Sequence, residues 1–327
     1  ADKSGIEIRK ALARIYNILG SIYSRIGIKE ESFNYYNKAL KLYELLEDIE
    51  GISVVFNNIH GHYTEQGNFY EGLEYLKKSL ELAERTGNVL SQAITIYNIG
   101  LLYYQLGNFE KAEAQYKEYL TINAQINNCL GNGYGNWGLG LISLERDDLS
   151  GAENYFNTAL RIFEKLGSKT LKMSTELSIG GLNLSMGKLD EALRICDAVC
   201  ENAEAMNASS LITECHIEKA NIKIHQALKI EPKEMSHLQE AKDLLLKAQS
   251  TIEEQAVYRQ LNFEIYYYLS KAYFYLGNKD EAFKSSARAE EIQNEILNYL
   301  PDQAARDMFL SKKIYREFAQ YSNDLRK

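Results

Sequence analysis

The sequence predicts an all-α superhelical solenoid of about seven helix-turn-helix repeats, closed by a C-terminal capping helix. Three observations predict it. Gly27, Gly67, Gly107, Asp147 and Gly187 stand forty residues apart, each inside a similar segment such as TEQGNFYEGLEYLKKSL or YQLGNFEKAEAQYKEYL, and a period of this length marks a stacked repeat. Apolar residues in each segment recur at i, i+3, i+4 and i+7, the stripe of an amphipathic helix. Only two prolines occur in 327 residues, although proline usually makes up about 5% of a chain and punctuates its loops.

Each unit reads as two antiparallel helices. The first ends at the Gly-Asn or Gly-Lys pair, where glycine supplies a left-handed turn. A small residue seven positions earlier, Gly20, Gly100, Gly140 or Gly180, lets the second helix approach, with His60 in that slot of the second unit. The units fall at 5–48, 49–88, 89–128, 129–168, 169–208, 209–256 and 257–299, in one domain spanning 1–327. The sixth carries Ala220 in the small slot and an insertion around Pro232, and Lys219 and Lys223 interrupt its apolar pattern. It is therefore expected to be the weakest joint of the stack. The seventh returns to phase with Ser270 and Gly277. The capping helix, 301–325, begins at Pro301, a favourable residue for a first helical turn.

Composition narrows the function. There are 37 basic and 45 acidic side chains, a net charge of −8, and no basic stripe tracks a phosphate backbone, so direct nucleic-acid binding is not expected. No apolar run approaches the roughly 18 residues of a membrane span. Four cysteines in so long a chain make no disulfide framework, which favours a reducing, cytoplasmic setting. Cys196 and Cys200 fall on core slots of a second helix and read as packing residues rather than metal ligands. His60 and His62, two apart on a helix, point to opposite sides. Gly133, Gly135 and Gly138 match GxGxxG, but repeat phase puts them inside a helix, without the strand and turn that a dinucleotide site needs. No hydrolase, kinase, P-loop or metalloprotease motif occurs. Neither an enzyme, a cofactor nor a metal is expected.

The slot residues resemble the tetratricopeptide repeat: Ile99, Gly100, Tyr103, Ala112 and Tyr116 in the third unit, and Leu139, Gly140, Ala152, Phe156 and Ala159 in the fourth. The forty-residue period is longer than that family's usual 34, and its proline after the second helix is missing. In length the unit is similar to those of Pins/LGN polarity adaptors, Rap and PlcR type peptide receptors, and helical regions of multidomain bacterial signalling proteins. The resemblance implies a protein or an extended peptide bound in the concave groove. It further implies that Asn58 and Asn98, two before the small slot, grip a ligand backbone, with Asn17 one residue off that slot.

An amide suits this task because it donates and accepts at once. Tyr97, Tyr104, Tyr134 and Trp137 are expected near the same surface as aromatic anchors, and the glycine-rich fourth unit leaves room either for tight helix packing or for a bound backbone. Arg14 and Arg25 near the start and Glu214, Glu218 and Glu264 near the end suggest an inner face graded from basic to acidic. The expected function is a binding module, the sensing or scaffolding part of a bacterial signalling protein. A receptor for a signalling oligopeptide, coupled to an output or DNA-binding domain, is the alternative, and a small-molecule regulatory region is a third.

Overall fold

Helix length and turn chemistry set a half-repeat of twenty residues. In the computed structural model, which describes residues 3–229, 234–255 and 259–326, most helices run 17 residues and are joined by three-residue turns. One residue in each turn is left-handed. Gly27, Gly67, Gly107, Gly187 and Gly277 hold φ between 74° and 82°, and Asp147 holds 58°. The turns from second to first helices use the same device at Glu47, Gly87, Asn127, Gly167 and Asn207. The next helix is then capped. Asp48, Asn68, Asn88, Asn108, Asn128 and Asp148 accept the backbone N–H three residues on, satisfying one of the donors a helix start leaves open.

The described residues form sixteen helices and no strand. Seven pairs make the repeats: α1 (Lys3–Arg25) with α2 (Lys29–Leu45), α3 (Ile49–Glu65) with α4 (Phe69–Thr86), α5 (Val89–Gln105) with α6 (Phe109–Gln125), α7 (Cys129–Glu145) with α8 (Leu149–Lys165), α9 (Lys169–Ser185) with α10 (Leu189–Ala205), α11 (Ser209–Lys229) with α12 (Met235–Gln255), and α13 (Arg259–Tyr275) with α14 (Lys279–Leu297). Each helix packs on its chain neighbours, and first helices also touch first helices, α1 on α3 through α11 on α13. They line the inner face. The α1 side that later repeats bury against the preceding second helix is uncovered: Ile15 is 52% exposed, whereas Val55 and Cys215 in its slot are fully buried.

The small slot works as expected. A Cβ on Gly140 would lie 2.6 Å from the Phe156 ring of the same repeat, and one on Gly138 would lie 2.6 Å from the Tyr116 ring of the preceding repeat. The glycine-rich stretch of α7 therefore serves helix packing, not the approach of a bound backbone. Gly138→Ala should lower stability by about 1–3 kcal/mol through overpacking, against the gain of about 1 kcal/mol that alanine brings to an open helix. A urea midpoint that rises would show that Tyr116 has room to move.

One sequence expectation stands as a prediction and another is corrected. The insertion around Pro232 lies outside the described residues, and the first helix of the unit that carries it is well packed. Ile217, Ala220, Ile224 and Ala227 of α11 join the largest apolar cluster, and Leu211, Cys215 and Ile222 join a second one with Cys196 and Cys200. The buried Lys223 is paired to Glu240 at 2.6 Å.

The segment after Pro301 is not one helix laid on the end of the array. It forms α15 (Gln303–Leu310) and α16 (Lys313–Leu325), which run back across the turns of earlier repeats. Ile296 at the end of α14 rests on Gly67, the Met308 carbonyl abuts Gly107, and the Lys313 ammonium pairs with Asp147 at 3.0 Å. Curvature of the solenoid brings repeats two to four opposite repeat seven, and Phe309, Tyr315 and Phe318 give the segment an apolar side to bury between them. One cluster thus runs from Phe69 and Leu102 through α11 to α14 and on to Phe309 and Phe318. The segment closes one mouth of the superhelix.

Candidate binding groove

The forty-residue register places equivalent side chains side by side along the inner face, so a slot that repeats in sequence becomes a row in space. Two adjacent slots hold asparagine. Asn17 and Asn57 are forty apart, as are Asn58 and Asn98, and the structure joins the two rows into a ladder between neighbouring first helices. Asn58 Nδ2 donates to Asn17 Oδ1 at 2.9 Å, and Asn98 Nδ2 donates to Asn57 Oδ1 at 3.2 Å. All four are partly exposed. Each amide offers two donors and one acceptor, so every member of the ladder keeps hydrogen-bonding capacity beyond the rung it makes. Asn57 was missed in the sequence, although its forty-residue spacing from Asn17 marks it.

The ladder changes character at the third repeat. Tyr97 follows Asn57 in its slot, and Gly138 follows Asn98. Tyr97 and Tyr134 do not stand on the inner surface as free anchors. They turn towards the second helices, with Tyr97 centred 5.7, 5.2 and 5.4 Å from Tyr116, Tyr119 and Tyr134, and Tyr134 5.6 Å from Phe163. Burial drives this, since each ring gains aromatic neighbours on the second helices. Burial also pushes both phenols above their ordinary range.

Trp137 resumes the rung pattern, its Nε1 donating to Ser178 Oγ at 2.9 Å across the next interface. Tyr104 lies apart from the ladder, under the C-terminal segment, with the Lys312 ammonium 5.1 Å from its ring centre. The seven residues predicted from sequence therefore separate into the amides Asn17, Asn58 and Asn98, the packed rings Tyr97 and Tyr134, a half-buried Trp137 one repeat further on, and Tyr104 in a different chamber.

Two cavities flank the ladder repeats. One, of about 510 Å³, lies between the first turn and repeats six and seven, lined by Arg25, Lys29, Glu65, Ser209, Thr213 and Leu261. Lys29 and Glu65 lie 3.8 Å apart, and burial raises the Glu65 carboxyl above its usual range. The other, of about 410 Å³, is the chamber that holds Tyr104, with Glu145, Glu218, Glu264, Asn221 and Tyr268 in its wall. Burial raises Glu218 and Glu264 from 4.5 to about 7. At Glu264, Lys312 opposes the shift while Glu218, Glu214 and Glu145 add to it. Burial lowers Lys312. Side chains of the acidic end of the sequence thus converge, while Arg25 stays exposed at the opposite cavity.

Models described as tetratricopeptide repeat match residues 13–44 and 51–125, the segments that build the amide ladder. Those two segments carry the tetratricopeptide repeat in sequence. No curated protein matches this chain by sequence. Among solved structures it is similar in fold to a Rap protein complexed with competence and sporulation factor, at TM-score 0.67 and 17% identity over 88% of this chain and 76% of that one. It is similar also to the Rap conjugation gene regulator of plasmid pLS20 in complex with the Phr* peptide, at TM-score 0.64 and 18% identity, again over 88% and 76%. A signal-transduction ATPase with a tetratricopeptide-repeat sensor from Pyrococcus horikoshii matches at TM-score 0.53 and 17% identity, over 92% of this chain and 46% of that one. No helix among the described residues is long and apolar enough to cross a membrane.

Proposed function

We propose that this chain is a peptide-binding module of a cytoplasmic signalling protein, holding an extended oligopeptide against the amide ladder of repeats one to three. The carrying observation is the ladder itself. Asn17, Asn57, Asn58 and Asn98 present a row of side chains that can donate to and accept from a peptide backbone of any sequence. The two rungs use only part of what the four amides can donate and accept.

An oligopeptide is favoured over a partner helix because two similar folds hold such ligands, the competence and sporulation factor and the Phr* peptide, and because a helix has already used its backbone groups internally. The sensor of the Pyrococcus ATPase supports placing the module upstream of an output domain. Net negative charge and the lack of a basic stripe support a protein or peptide rather than nucleic acid.

Asn98→Ala tests the reading. With a peptide selected from a random library on the wild type, the variant is expected to bind more weakly by about 1–3 kcal/mol, because a buried ligand amide loses its partner. Its melting temperature should barely move, since the rung to Asn57 is partly exposed and contributes about 1 kcal/mol or less. Unchanged affinity, or loss of binding that tracks loss of fold, would remove the ladder from the site.

A further inference from the structure

The geometry points to a second site, for an organic cation carrying an ammonium or guanidinium group, in the chamber beneath the C-terminal segment. The chamber collects more carboxylates than its lining cations pair. Glu218 and Glu264 form no hydrogen bond or ion pair with any described residue, and Asn221, 8% exposed in the same wall, leaves its buried Oδ1 without a partner. Tyr104 and Tyr268 add ring faces, whose negative quadrupole attracts a cation.

The protein's own cations leave Glu218 unpaired. Lys313 sends its ammonium out to Asp147 at 3.0 Å and its backbone N–H to Glu145 at 3.0 Å. Lys312 lies over the Tyr104 ring and acts on Glu145 and Glu264 without an ion pair, and Lys271 lies 5.9 Å from the centre of the Tyr268 ring. Burial lowers the His225 imidazole, which disfavours its charged form, and Glu317 at the rim adds another carboxylate. An anion would face the carboxylates of Glu145, Glu218, Glu264 and Glu317 in the same wall. A bare metal ion is also disfavoured, because among the described residues no three His, Cys, Asp or Glu side chains are grouped to hold one. A spread of carboxylates, an amide oxygen and two aromatic faces instead suits a larger, multi-donor cation, and about 410 Å³ is within the range of small-ligand sites. Ligand binding would ionise the two buried carboxyls.

The assignment does not rest on the amide ladder gripping a peptide, and the test keeps the two apart. Calorimetric titration at about pH 8 uses n-butylguanidinium, its uncharged isostere n-butylurea, and the blocked tripeptide acetyl-Gly-Arg-Gly-amide, against wild type, Glu218→Gln, Glu264→Gln and Asn98→Ala. One saturable site for a guanidinium probe is expected, with a Kd of about 0.1–1 mM for so small a ligand. It should weaken at least about tenfold in either glutamine variant, where the charge-assisted bond is lost, and be unchanged in Asn98→Ala. Binding of n-butylguanidinium marks a free amine or guanidine as sufficient, and binding of the tripeptide alone marks a cation borne on a peptide. Either result upholds the site. Equal binding of n-butylurea, full affinity in both glutamine variants, or no saturation by either cation below about 10 mM would overturn it. The variants remove a buried charge without changing shape, so a melt at the same pH distinguishes lost binding from lost fold.

Discussion

Phe309→Ala is expected to lower stability by about 3–5 kcal/mol, the usual penalty for deleting a buried aromatic ring, although the residue lies beyond the last repeat. Phe309 is 1% exposed, and its ring centre is 4.5 Å from Tyr315 and 6.2 Å from Phe69. Those contacts join the C-terminal segment to the second repeat, more than two hundred residues earlier in the chain. In an open solenoid each repeat touches only its neighbours, and a terminal change is felt locally. Here the segment closes a ring, so the cavity should be felt at both ends of the array. Urea unfolding followed by fluorescence would measure the loss, and small-angle scattering should show the radius of gyration growing as the mouth opens. A variant with the wild-type midpoint would mean that α15 rests on the turns without holding them.

That closure marks where the sequence stops being informative. The forty-residue register reveals the helix pairs, the left-handed glycines and the small slots, because all of these depend on contacts within a repeat or between neighbours. The matching turns at Glu47, Asn127 and Asn207 were harder to see, since three different side chains share one backbone conformation there.

At the groove, the spacing of Asn58 and Asn98 exposes one row, and the partner row of Asn17 and Asn57 explains the apparent one-residue offset of Asn17. Tyr97 and Tyr134 face the second helices for a physical reason. A tyrosine on a first helix can turn towards the groove or towards the second helices, and only the packed layer decides which. The contacts of Phe309 with Phe69 and of Lys313 with Asp147 leave no periodic trace, because they depend on the curvature accumulated over five repeats. Glu218 and Glu264 read from the sequence as an acidic end of the inner face, but the burial that raises them depends on that same closure.

Burial of these carboxyls gives the second large expected effect, a stabilisation by Glu218→Gln that grows with pH. In the unfolded chain the Glu218 carboxyl titrates near 4.5, and in the folded chain burial raises it to about 7. Between those values the folded state binds more protons than the unfolded state, so this group's contribution to stability is fully present below pH 4.5 and is lost as pH rises through about 7. Glu264, raised to the same value, acts in the same direction. Paired surface carboxylates such as Glu113 and Glu240 are lowered and act in the opposite direction, so the slope of the wild type alone is ambiguous.

The comparison with the glutamine variant removes that ambiguity, because every other group is common to both proteins. At about pH 5 both carry a neutral, similarly shaped side chain at position 218 and should unfold at nearly the same urea concentration. At about pH 8 the wild type holds an ionised carboxylate in the half-buried chamber, and the variant should be more stable by about 1–3 kcal/mol. Saturation with n-butylguanidinium at the higher pH should shrink that difference, since the bound cation supplies the missing partner. A difference that is the same at both pH values would show that Glu218 is solvated in the folded chain, and the chamber would then have no need of a cation.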